Sequence, residues 1–332
     1  MKIAINGFGR IGRVVFRLLE NEKDLDVVAI NDLTDARQLA YLLKYDTNHR
    51  KSDLDISYDE SNIIVNGRKI KVYAETDPLN LPWKENEIDL VFECTGRFTN
   101  YDDAYKHIDA GAKKVIISAP AKGDLKTIVY NVNNKELTGD EKIISAASCT
   151  TNCLAPVLKV VDDNFGIVKG FMTTVHAYTN DQAILDVAHK KGIEARRGRA
   201  GANNIVPSST GAASAIGEVI PKLKGKLDGS AMRVPVSDGS VIDLTLELNK
   251  NVTVDDINNC LINNKNETLD FTYDPVVSSD ILGSNVGALV DGLLTKVLDV
   301  DGKQLVKIVA WYDNEYGYSS QMVRTAKYFL GK

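Results

Sequence analysis

Cysteine and histidine are scarce in this sequence of 332 residues, which contains four of each. No two cysteines form a CxxC pair, so we expect neither a disulfide scaffold nor a four-cysteine zinc site, and we predict no metal site. No apolar run approaches the roughly 18 residues that span a membrane, and the chain begins with a strand-like segment rather than a signal peptide. These absences predict a cytoplasmic protein with few candidates for thiol or imidazole chemistry.

Charge of either sign is present in nearly equal amounts, with 40 lysines and arginines against 45 aspartates and glutamates. A formal net charge of -5 is a poor match for nucleic acid or an anionic membrane, so we expect neither as a partner. At roughly 100 to 200 residues per domain, the length predicts two domains that each bury their own core.

The first 148 residues alternate short apolar runs with amphipathic stretches, which predicts a mostly parallel α/β sheet with helices on both faces. Strands are predicted at 3–6, 27–31, 90–95, 114–118, 128–131 and 143–146, and helices at 10–20, 36–44 and 101–110. A hairpin is expected at 62–72, because Asn66-Gly67 between two alternating runs favours a two-residue turn.

Longer strand-like runs follow residue 149, at 170–178, 230–236, 240–248 and 304–312, with a second hairpin turn at Asp301-Gly302. Helices are predicted at 208–223 and 254–262, the second begun by the capping residue Thr253. This pattern is typical of an α+β domain with a largely antiparallel sheet. The last segment has helical periodicity and is expected to dock on the first domain. We therefore assign 1–148 and 314–332 to one domain and 149–313 to the other.

A glycine motif, GFGRIG at 7–12, follows the first predicted strand and opens a helix. Gly7 permits a tight turn, Gly9 lets backbone amides approach a pyrophosphate, and Gly12 allows close packing of the helix on the strand. Asp32 ends the second strand 20 residues beyond Gly12, where a carboxylate can accept hydrogen bonds from an adenosine ribose. Because this carboxylate would repel a 2′-phosphate, the motif predicts NAD rather than NADP.

Cys149 is the candidate nucleophile. It follows Ser148, a natural helix cap, so it falls in a first turn whose free amides and dipole favour thiolate over thiol. A small buried packing residue is the alternative interpretation of Cys149. Cys153, one turn later, is expected in the core, although it could form a disulfide with Cys149 under oxidation. Cys94 and Cys260 are expected to be packing residues.

A thiol of this kind needs a proton acceptor, and the four histidines limit the choice. His49 and His107 lie among charged residues and are expected to be solvated, and His189 is expected in a loop. His176 lies in a predicted strand, where a lone histidine is more often structural. By elimination, His176 is the best partner for Cys149.

Several patches could bind anions. They are Thr179–Asp181, Arg196–Arg199, the segment Ser208–Gly211 at a predicted helix start, and Arg233 inside an apolar strand. Free helix amides and loop arginines suit anions, and a charge inside a strand requires a partner. Each patch alone has an ordinary interpretation as a turn, a solvated loop, a helix cap or an ion pair. Together they suggest a substrate that carries phosphate groups.

Six segments in order carry a resemblance that covers the chain from Lys2 to its C-terminus. They are GFGRIGR at 7–13, ASCTTNCLAP at 147–156, VHAYTNDQ at 175–182, PSSTGAA at 207–213, MRVP at 232–235 and WYDNEYGYS at 311–319. The sequence resembles the phosphorylating glyceraldehyde-3-phosphate dehydrogenase family in its bacterial form. The resemblance implies a Rossmann NAD-binding domain completed by the C-terminal helix, a catalytic domain, and a homotetramer in which a loop at about 177–203 reaches a neighbouring subunit's cofactor.

The resemblance also implies a reaction. Cys149 would form a hemithioacetal with the aldehyde of glyceraldehyde 3-phosphate, hydride would pass to NAD, and inorganic phosphate would attack the thioester to give 1,3-bisphosphoglycerate. His176 would activate the thiol and transfer protons. The Cys149 amide, together with His176, would stabilise the developing oxyanion.

The resemblance further implies two sets of binding residues. Those for the substrate phosphate or the attacking phosphate are Ser148, Thr150, Thr179, Asp181, Arg196, Thr210, Gly211 and Arg233. Those for the cofactor are Gly7, Gly9, Arg10, Ile11, Gly12, Asp32, Thr76, Thr95, Gly96, Ser118, Asn314 and Tyr318.

The sequence departs from the family at three places. Thr76 stands where Arg or Lys is frequent, so only a backbone contact would survive there. The segment Val187–His189 lacks a frequent proline beside the adenosine, although Asp32 still supports NAD. For the departure at 236–240 we have no mechanistic interpretation.

Two other functions remain open at this point. Erythrose-4-phosphate dehydrogenase shares the fold, the cysteine and the histidine but releases an acid by hydrolysis, so a requirement for inorganic phosphate distinguishes the two. A nucleotide-dependent binding or surface-adhesion protein without catalysis would bind NAD and show no turnover.

Overall fold

The computed structural model describes residues 1–189 and 192–331, which fall into two units. The first unit comprises 1–128, 134–147 and the chain from Met322 onward, and the second comprises 129–133 and the described part of 148–321. The first unit is therefore discontinuous. The chain passes between the units after residues 147 and 321, whereas the sequence pattern placed the divisions after 148 and 313.

The first unit is built on a sheet. Nine strands occur in its described part: β1 Lys2–Asn6, β2 Asp26–Asn31, β3 Ile56–Tyr58, β4 Asn62–Val65, β5 Arg68–Tyr73, β6 Leu90–Glu93, β7 Lys114–Ile117, β8 Lys126–Thr127 and β9 Ile143–Ser145. Their order is β3-β4-β5-β2-β1-β6-β7-β9-β8, antiparallel from β3 to β5 and parallel beyond. The helices are α1 Arg10–Leu19, α2 Ala36–Lys44 and α3 Tyr101–Asp109.

Both faces of this sheet are buried, because side chains that alternate along each strand enter two different apolar cores. Ile3 and Ile5 of β1 lie in one core and Ala4 lies in the other. The first core also contains residues of α1, α2 and the C-terminal helix, among them Met322, Val323, Ala326 and Phe329. The second contains Trp83 and Ala104 of α3. The predicted parallel sheet with helices on both faces is confirmed.

The order of the strands reverses at β1, since β2 lies on one side of it and β6 on the other. In open parallel sheets, ligands bind beyond the carboxyl ends of the strands at such a reversal. Gly7 follows β1 and Thr95 lies just beyond β6. The fold therefore brings the glycine motif and the Thr95-Gly96 turn to the same edge.

The second unit contains another sheet. Eight strands occur in its described part: β10 Ile167–Ala177, β11 Val206–Ser209, β12 Leu227–Val234, β13 Ser240–Leu248, β14 Leu269–Thr272, β15 Ala288–Asp291, β16 Lys296–Val300 and β17 Lys303–Tyr312. Their order is β11-β12-β10-β13-β17-β15-β14, with β16 paired to β17. The parallel pairs among them are β10–β12 and β14–β15. The predicted largely antiparallel sheet is confirmed.

Four helices lie wholly or partly in the described part of the second unit. They are α4 Cys149–Phe165, α5 Ala212–Val219, α6 Val254–Asn263 and α7 Tyr316–Phe329, whose last eight residues lie in the first unit. Ser148 begins α4, because its Oγ accepts a hydrogen bond from the Thr151 amide at 3.0 Å. Thr253 and Asp256 form a reciprocal capping box at the start of α6. Both predicted caps are confirmed.

Both predicted hairpins are also confirmed. Asn66 and Gly67 have φ of 51° and 79°, and Asp301 and Gly302 have φ of 51° and 76°. Two consecutive left-handed residues match the twist of the flanking antiparallel strands.

Two predicted elements are wrong. The strand at 128–131 is absent from the described structure, because β8 ends at Thr127 and Val129 O accepts turn hydrogen bonds from the amides of residues 132 and 133. The helix at 208–223 is shorter than predicted, since Ser208 and Ser209 belong to β11 and Pro221 cannot continue α5. Short apolar runs look alike in sequence whether they pair as strands or pack in loops.

His107 is likewise not the solvated residue that its charged neighbours predict. It lies on α3 and is fully buried. Among the described residues, no helix is both long enough and apolar enough to cross a membrane.

Candidate active site

Cys149 is the first residue of α4, and His176 lies next to the last residue of β10. The Cys149 Sγ lies 3.4 Å from His176 Nε2, which is close enough for proton transfer between thiol and imidazole. His176 is only 4% exposed. The structure thus brings together the two residues that the sequence pairs by elimination.

The neighbours of His176 Nδ1 bear on whether Nε2 donates or accepts a hydrogen bond. Nδ1 lies 2.7 Å from the Ala177 carbonyl oxygen and 2.7 Å from Nη1 of Arg233. Ala177 O is an acceptor and favours a hydrogen on Nδ1, whereas Arg233 Nη1 can only donate and favours a hydrogen on Nε2; Arg233 Nη1 also donates to Ala177 O at 2.9 Å. When Nδ1 carries the hydrogen, Nε2 is an acceptor that faces the thiol. This tautomer is the one in which His176 can take the proton of Cys149.

Burial dominates the protonation of the pair. It raises the pKa of Cys149, although the Arg233 charge and hydrogen bonds from Thr150 act in the opposite direction. Burial, followed by the Arg233 charge, lowers the pKa of His176 to about 4. At neutral pH the resting pair is therefore a thiol and a neutral imidazole. The backbone hydrogen bond at the helix start acts toward the thiolate, as the sequence predicts, but desolvation outweighs it.

Tyr312 is a part of the site that the sequence did not single out. Its hydroxyl lies 2.9 Å from Thr150 Oγ1 and 2.8 Å from Thr174 Oγ1, and its ring packs edge-on against His176 with 5.9 Å between centroids. This buried tyrosine, at the end of β17, therefore ties the first turn of α4 to β10. In the sequence it stands at the end of a predicted strand and inside the segment at 311–319 that carries the resemblance, but neither signal assigned it a role.

A polar cluster lies beside His176. Arg233 Nη1 donates to Thr179 Oγ1 at 3.3 Å, and both Thr179 and Arg197 donate to the Asp181 carboxylate. The strand pairing places Arg233 of β12 directly opposite His176 of β10. Two guanidinium groups against one carboxylate leave a net positive charge, which suits a phosphate group.

The arginine that joins this cluster is Arg197, which lies in the predicted anion patch at 196–199 but not in the predicted set of phosphate ligands; its neighbour Arg196, which is in that set, does not join it. Arg197 also approaches Ser208 Oγ at 3.5 Å. Arg196 lines a separate cavity of about 580 Å³ formed by residues between 187 and 207. Residues 190 and 191 of the predicted intersubunit loop lie outside the described residues. A helical turn at 196–198 separates the directions of the two arginines, which sequence spacing does not reveal.

The other predicted phosphate residues have structural partners of their own. Ser148 Oγ caps α4, Thr210 Oγ1 accepts a hydrogen bond from the Ala212 amide at 3.2 Å, and Gly211 precedes α5. A hydroxyl that accepts from one amide still carries a hydrogen that it can donate to a phosphate.

In the first unit, the three glycines of the motif differ in what surrounds them. A Cβ on Gly7 would lie 2.7 Å from Thr95 N, and one on Gly12 would lie 2.2 Å from Gly7 O. A Cβ on Gly9 would meet no described atom within 4 Å. Packing therefore excludes side chains at Gly7 and Gly12, whereas Gly9 faces space in which a ligand can approach the backbone.

A cavity of about 280 Å³ opens beside this motif at the edge where the strand order reverses. It is lined by Asn6, Gly7, Gly9, Asn31, Asp32, Leu33, Glu75, Thr76, Cys94, Thr95, Arg97 and Phe98. Five of the predicted cofactor residues are in this set, namely Gly7, Gly9, Asp32, Thr76 and Thr95. We call it the dinucleotide cavity.

Asp32 has a second set of contacts, and the remaining predicted cofactor residues are not in this lining set. Asp32 accepts hydrogen bonds from the Phe8 amide at 2.8 Å and the Thr34 amide at 3.0 Å, so it also braces the glycine motif. Arg10 binds Asp46 through both terminal nitrogens at 2.5 and 3.1 Å. The others are Ile11 and Gly12 in α1, Gly96 and Ser118 beyond β6 and β7, and, in the second unit, Asn314 and Tyr318.

The fold and the site together define a class of protein: a dinucleotide-binding α/β domain and a domain with a histidine-paired cysteine thiol, in one chain. Residues 1–101 match the family model described as glyceraldehyde 3-phosphate dehydrogenase, NAD binding domain, and residues 148–314 match its C-terminal domain. Three curated proteins named glyceraldehyde-3-phosphate dehydrogenase are similar to the chain, each over 99% of its length and 98% of theirs. They come from Clostridium pasteurianum at 58% identity, Clostridium acetobutylicum at 57% and Streptococcus pyogenes at 55%.

The chain belongs to the glyceraldehyde-3-phosphate dehydrogenase family. The predicted family, the predicted fold class and NAD as the cofactor are therefore confirmed.

Proposed function

We propose that this protein catalyses the NAD-dependent oxidative phosphorylation of glyceraldehyde 3-phosphate to 1,3-bisphosphoglycerate, a step of glycolysis. The observation that carries the proposal is the distance of 3.4 Å between the Cys149 thiol and the acceptor nitrogen of His176. Membership of the family and the phosphate-suited cluster at Arg233 support it.

The chemistry begins with a proton transfer. His176 Nε2 accepts the thiol proton as Cys149 Sγ attacks the aldehyde carbon, and the imidazolium returns it to the oxygen of the hemithioacetal. When bound, NAD supplies the hydride acceptor that converts this hemithioacetal into a thioester. His176 takes the hydroxyl proton in that step. Inorganic phosphate then attacks the thioester carbon, and the departing Cys149 sulfur recovers its proton from His176.

Positive charge beside the nucleophile serves the anionic groups of both substrates. Arg233 and Thr179 are the proposed centre of this site, and Arg197 adds a second guanidinium through Asp181. The other proposed phosphate ligands are Ser148, Thr150, Arg196, Thr210 and Gly211. Guanidinium groups bind phosphate through paired hydrogen bonds, so truncation of Arg233 should raise the KM for phosphate-bearing substrates.

For the cofactor, we propose that the pyrophosphate lies against the backbone at Gly9 and the start of α1, where the free amides and the helix dipole favour an anion. Asp32, at the end of β2, is the proposed partner of the adenosine ribose and the basis of selectivity for NAD over NADP. Thr76 lines the same cavity with a side chain shorter than the Arg or Lys frequent in the family.

We also propose that residues 1–148 and 314–332 form the cofactor domain, that 149–313 form the catalytic and oligomerisation domain, and that the protein is a cytoplasmic homotetramer. Large apolar side chains on the second unit support assembly: Ile184, Leu185, Ile193, Ile205 and Phe171 are each more than 65% exposed. Apolar surface of this kind is commonly covered by another chain. Light scattering coupled to size-exclusion chromatography should give the mass of four chains.

One spectrophotometric assay tests the catalytic proposal. NADH formation from glyceraldehyde 3-phosphate should require inorganic phosphate and should far exceed NADPH formation from NADP. A preference for erythrose 4-phosphate without a phosphate requirement would instead identify the hydrolytic dehydrogenase. No turnover with either aldehyde, together with intact NAD binding, would instead support the nucleotide-dependent binding protein without catalysis.

A further inference from the structure

A buried carboxylate ends β6 next to the dinucleotide cavity. Glu93 is 1% exposed, and its Oε1 accepts hydrogen bonds from the Thr95 amide at 2.8 Å and from the Thr95 hydroxyl. Its Oε2 accepts a hydrogen bond from Asn6 Nδ2 at 2.5 Å. Both Asn6 and Thr95 line the cavity. One carboxylate therefore ties together the carboxyl ends of β1 and β6.

His107 of α3 supplies the same carboxylate with a donor whose orientation is determined by its neighbour. His107 Nε2 lies 3.1 Å from Glu93 Oε2, and Nδ1 accepts a hydrogen bond from Trp83 Nε1 at 2.9 Å. An indole nitrogen can only donate, so Nδ1 carries no hydrogen and Nε2 carries the ring's single one. His107 is thus a neutral imidazole that donates to Glu93.

The hydrogen bonds continue from Asn6 to a third strand end. Asn6 Oδ1 accepts from Asn31 Nδ2 at 2.7 Å, at the end of β2. The Asn31 side chain in turn donates to Glu75 O at 2.9 Å and accepts from the Glu75 amide at 2.8 Å. Asn31 and Glu75 also line the cavity. A single network therefore holds the rim of the cavity from Thr95 to Glu75.

We propose that Glu93 and His107 are positioning residues for the cofactor, which hold the ends of β1, β2 and β6 at the spacing that the dinucleotide requires. The inference rests on the dinucleotide site proposed above. Among the described residues that line the cavity, neither Glu93 nor His107 occurs, so they act through Asn6 and Thr95. When a buried carboxylate loses one donor, its remaining hydrogen bonds must rearrange to compensate, and for Glu93 those bonds come from the cavity residues Asn6 and Thr95.

Two substitutions of His107 separate positioning from simple stability. His107→Asn offers an amide oxygen near the Nδ1 position, which keeps an acceptor for Trp83 and removes the donor to Glu93. His107→Gln extends an amide nitrogen toward the Nε2 position, which keeps the donor to Glu93 and removes the acceptor for Trp83. Each variant loses one buried hydrogen bond, so we expect similar decreases in the thermal unfolding temperature.

The expected effects on the cofactor differ. In the full-length enzyme, calorimetric titration should give a Kd for NAD about tenfold higher in His107→Asn and less than about threefold higher in His107→Gln. The kcat at saturating NAD and the KM for glyceraldehyde 3-phosphate should change by less than about twofold in His107→Asn. Trp83→Phe is a milder variant. It keeps the apolar packing but removes the hydrogen bond that fixes the His107 tautomer, and it should raise the Kd for NAD about threefold.

Three results would overturn the inference. They are an unchanged Kd for NAD in both His107→Asn and Trp83→Phe, equal weakening in the two His107 variants, or a fall in kcat with no change in the Kd. Gly9→Val tests the underlying site separately. If Gly9→Val binds NAD like the wild type, the proposed dinucleotide site itself is wrong. If it loses NAD while His107→Asn does not, only the positioning role fails.

Discussion

The dinucleotide cavity and the thiol site are constructed by different means. The glycine edge of the cavity depends on backbone: three glycines within six residues, beside a turn that follows a parallel strand. The thiol site depends on side chains from four elements, α4, β10, β12 and β17, spread between residues 149 and 312. The glycine edge is therefore local in sequence, whereas the thiol site exists only after strands pair.

The two buried histidines make the same point. His107 Nδ1 accepts from Trp83, so its Nε2 is a donor to a carboxylate. His176 Nδ1 can donate to the Ala177 carbonyl, so its Nε2 is an acceptor toward a thiol. The donor-only neighbour of His107 therefore fixes its Nε2 as a donor, whereas the Ala177 carbonyl gives His176 a tautomer whose Nε2 can accept a proton.

The largest effect should come from the thiol site. Cys149→Ala removes the nucleophile, so kcat should fall by about 10⁵-fold or more while the Kd for NAD stays within about twofold. Steady-state kinetics and calorimetric titration measure the two quantities. Cys153→Ala, one helical turn away, is the matched control and should retain turnover. Residual activity of Cys149→Ala within tenfold of the wild type would contradict the covalent mechanism.

The same substitution at the two histidines should affect different quantities, kcat in one case and NAD binding in the other. His176→Asn removes the proton acceptor, and kcat should fall by about 10² to 10⁴. His107→Asn should leave kcat at saturating NAD nearly unchanged and weaken NAD binding instead. Parallel kcat measurements on the two variants check this contrast, and similar losses of kcat would erase the distinction drawn between the two rings.

Gly9 and Gly12 of the glycine motif should respond differently to substitution. Gly9→Val places a side chain in open space, so it should weaken NAD binding about 100-fold without lowering the unfolding temperature. Gly12→Ala forces a Cβ against Gly7 O, so it should cost about 1 to 3 kcal/mol of folding free energy. Thermal denaturation and NAD titration of both variants test the pair. Loss of stability in Gly9→Val would show that its space is needed for folding.

The smallest effect concerns pH. The folded-state pKa of His176, about 4, lies below its ordinary value of 6.5 because of burial and Arg233. The unfolded chain therefore binds more protons between those values, and folding stability is lost as the pH falls from 6.5 toward 4. At pH 5 this loss of folding free energy is about 2 kcal/mol, and His176→Asn should remove it. Denaturant unfolding of both proteins at pH 7 and pH 5 measures it; an identical pH dependence would refute the assignment.

Prediction from sequence succeeded where the signal is local. The capping residue Ser148, the turns at Asn66-Gly67 and Asp301-Gly302, and the glycine motif all depend on the conformational freedom or hydrogen bonding of consecutive residues. It failed where the surroundings of a side chain depend on residues that are distant in sequence. Arg197 rather than Arg196 reaches Asp181, because a helical turn directs adjacent side chains to different places. His107 looks solvated by its sequence neighbours but lies beside Glu93 and Trp83.

The sequence by itself identified the family, the NAD motif and the candidate nucleophile, because glycine spacing and a capped cysteine are properties of short segments. Only the tertiary structure decided the protonation of Cys149 and His176, since the burial that shifts both pKa values comes from packing between distant elements. It also brought Tyr312 to Thr150 and Glu93 to His107. The direction of a hydrogen bond depends on which groups meet in space, and that meeting follows from strand pairing and not from order along the chain.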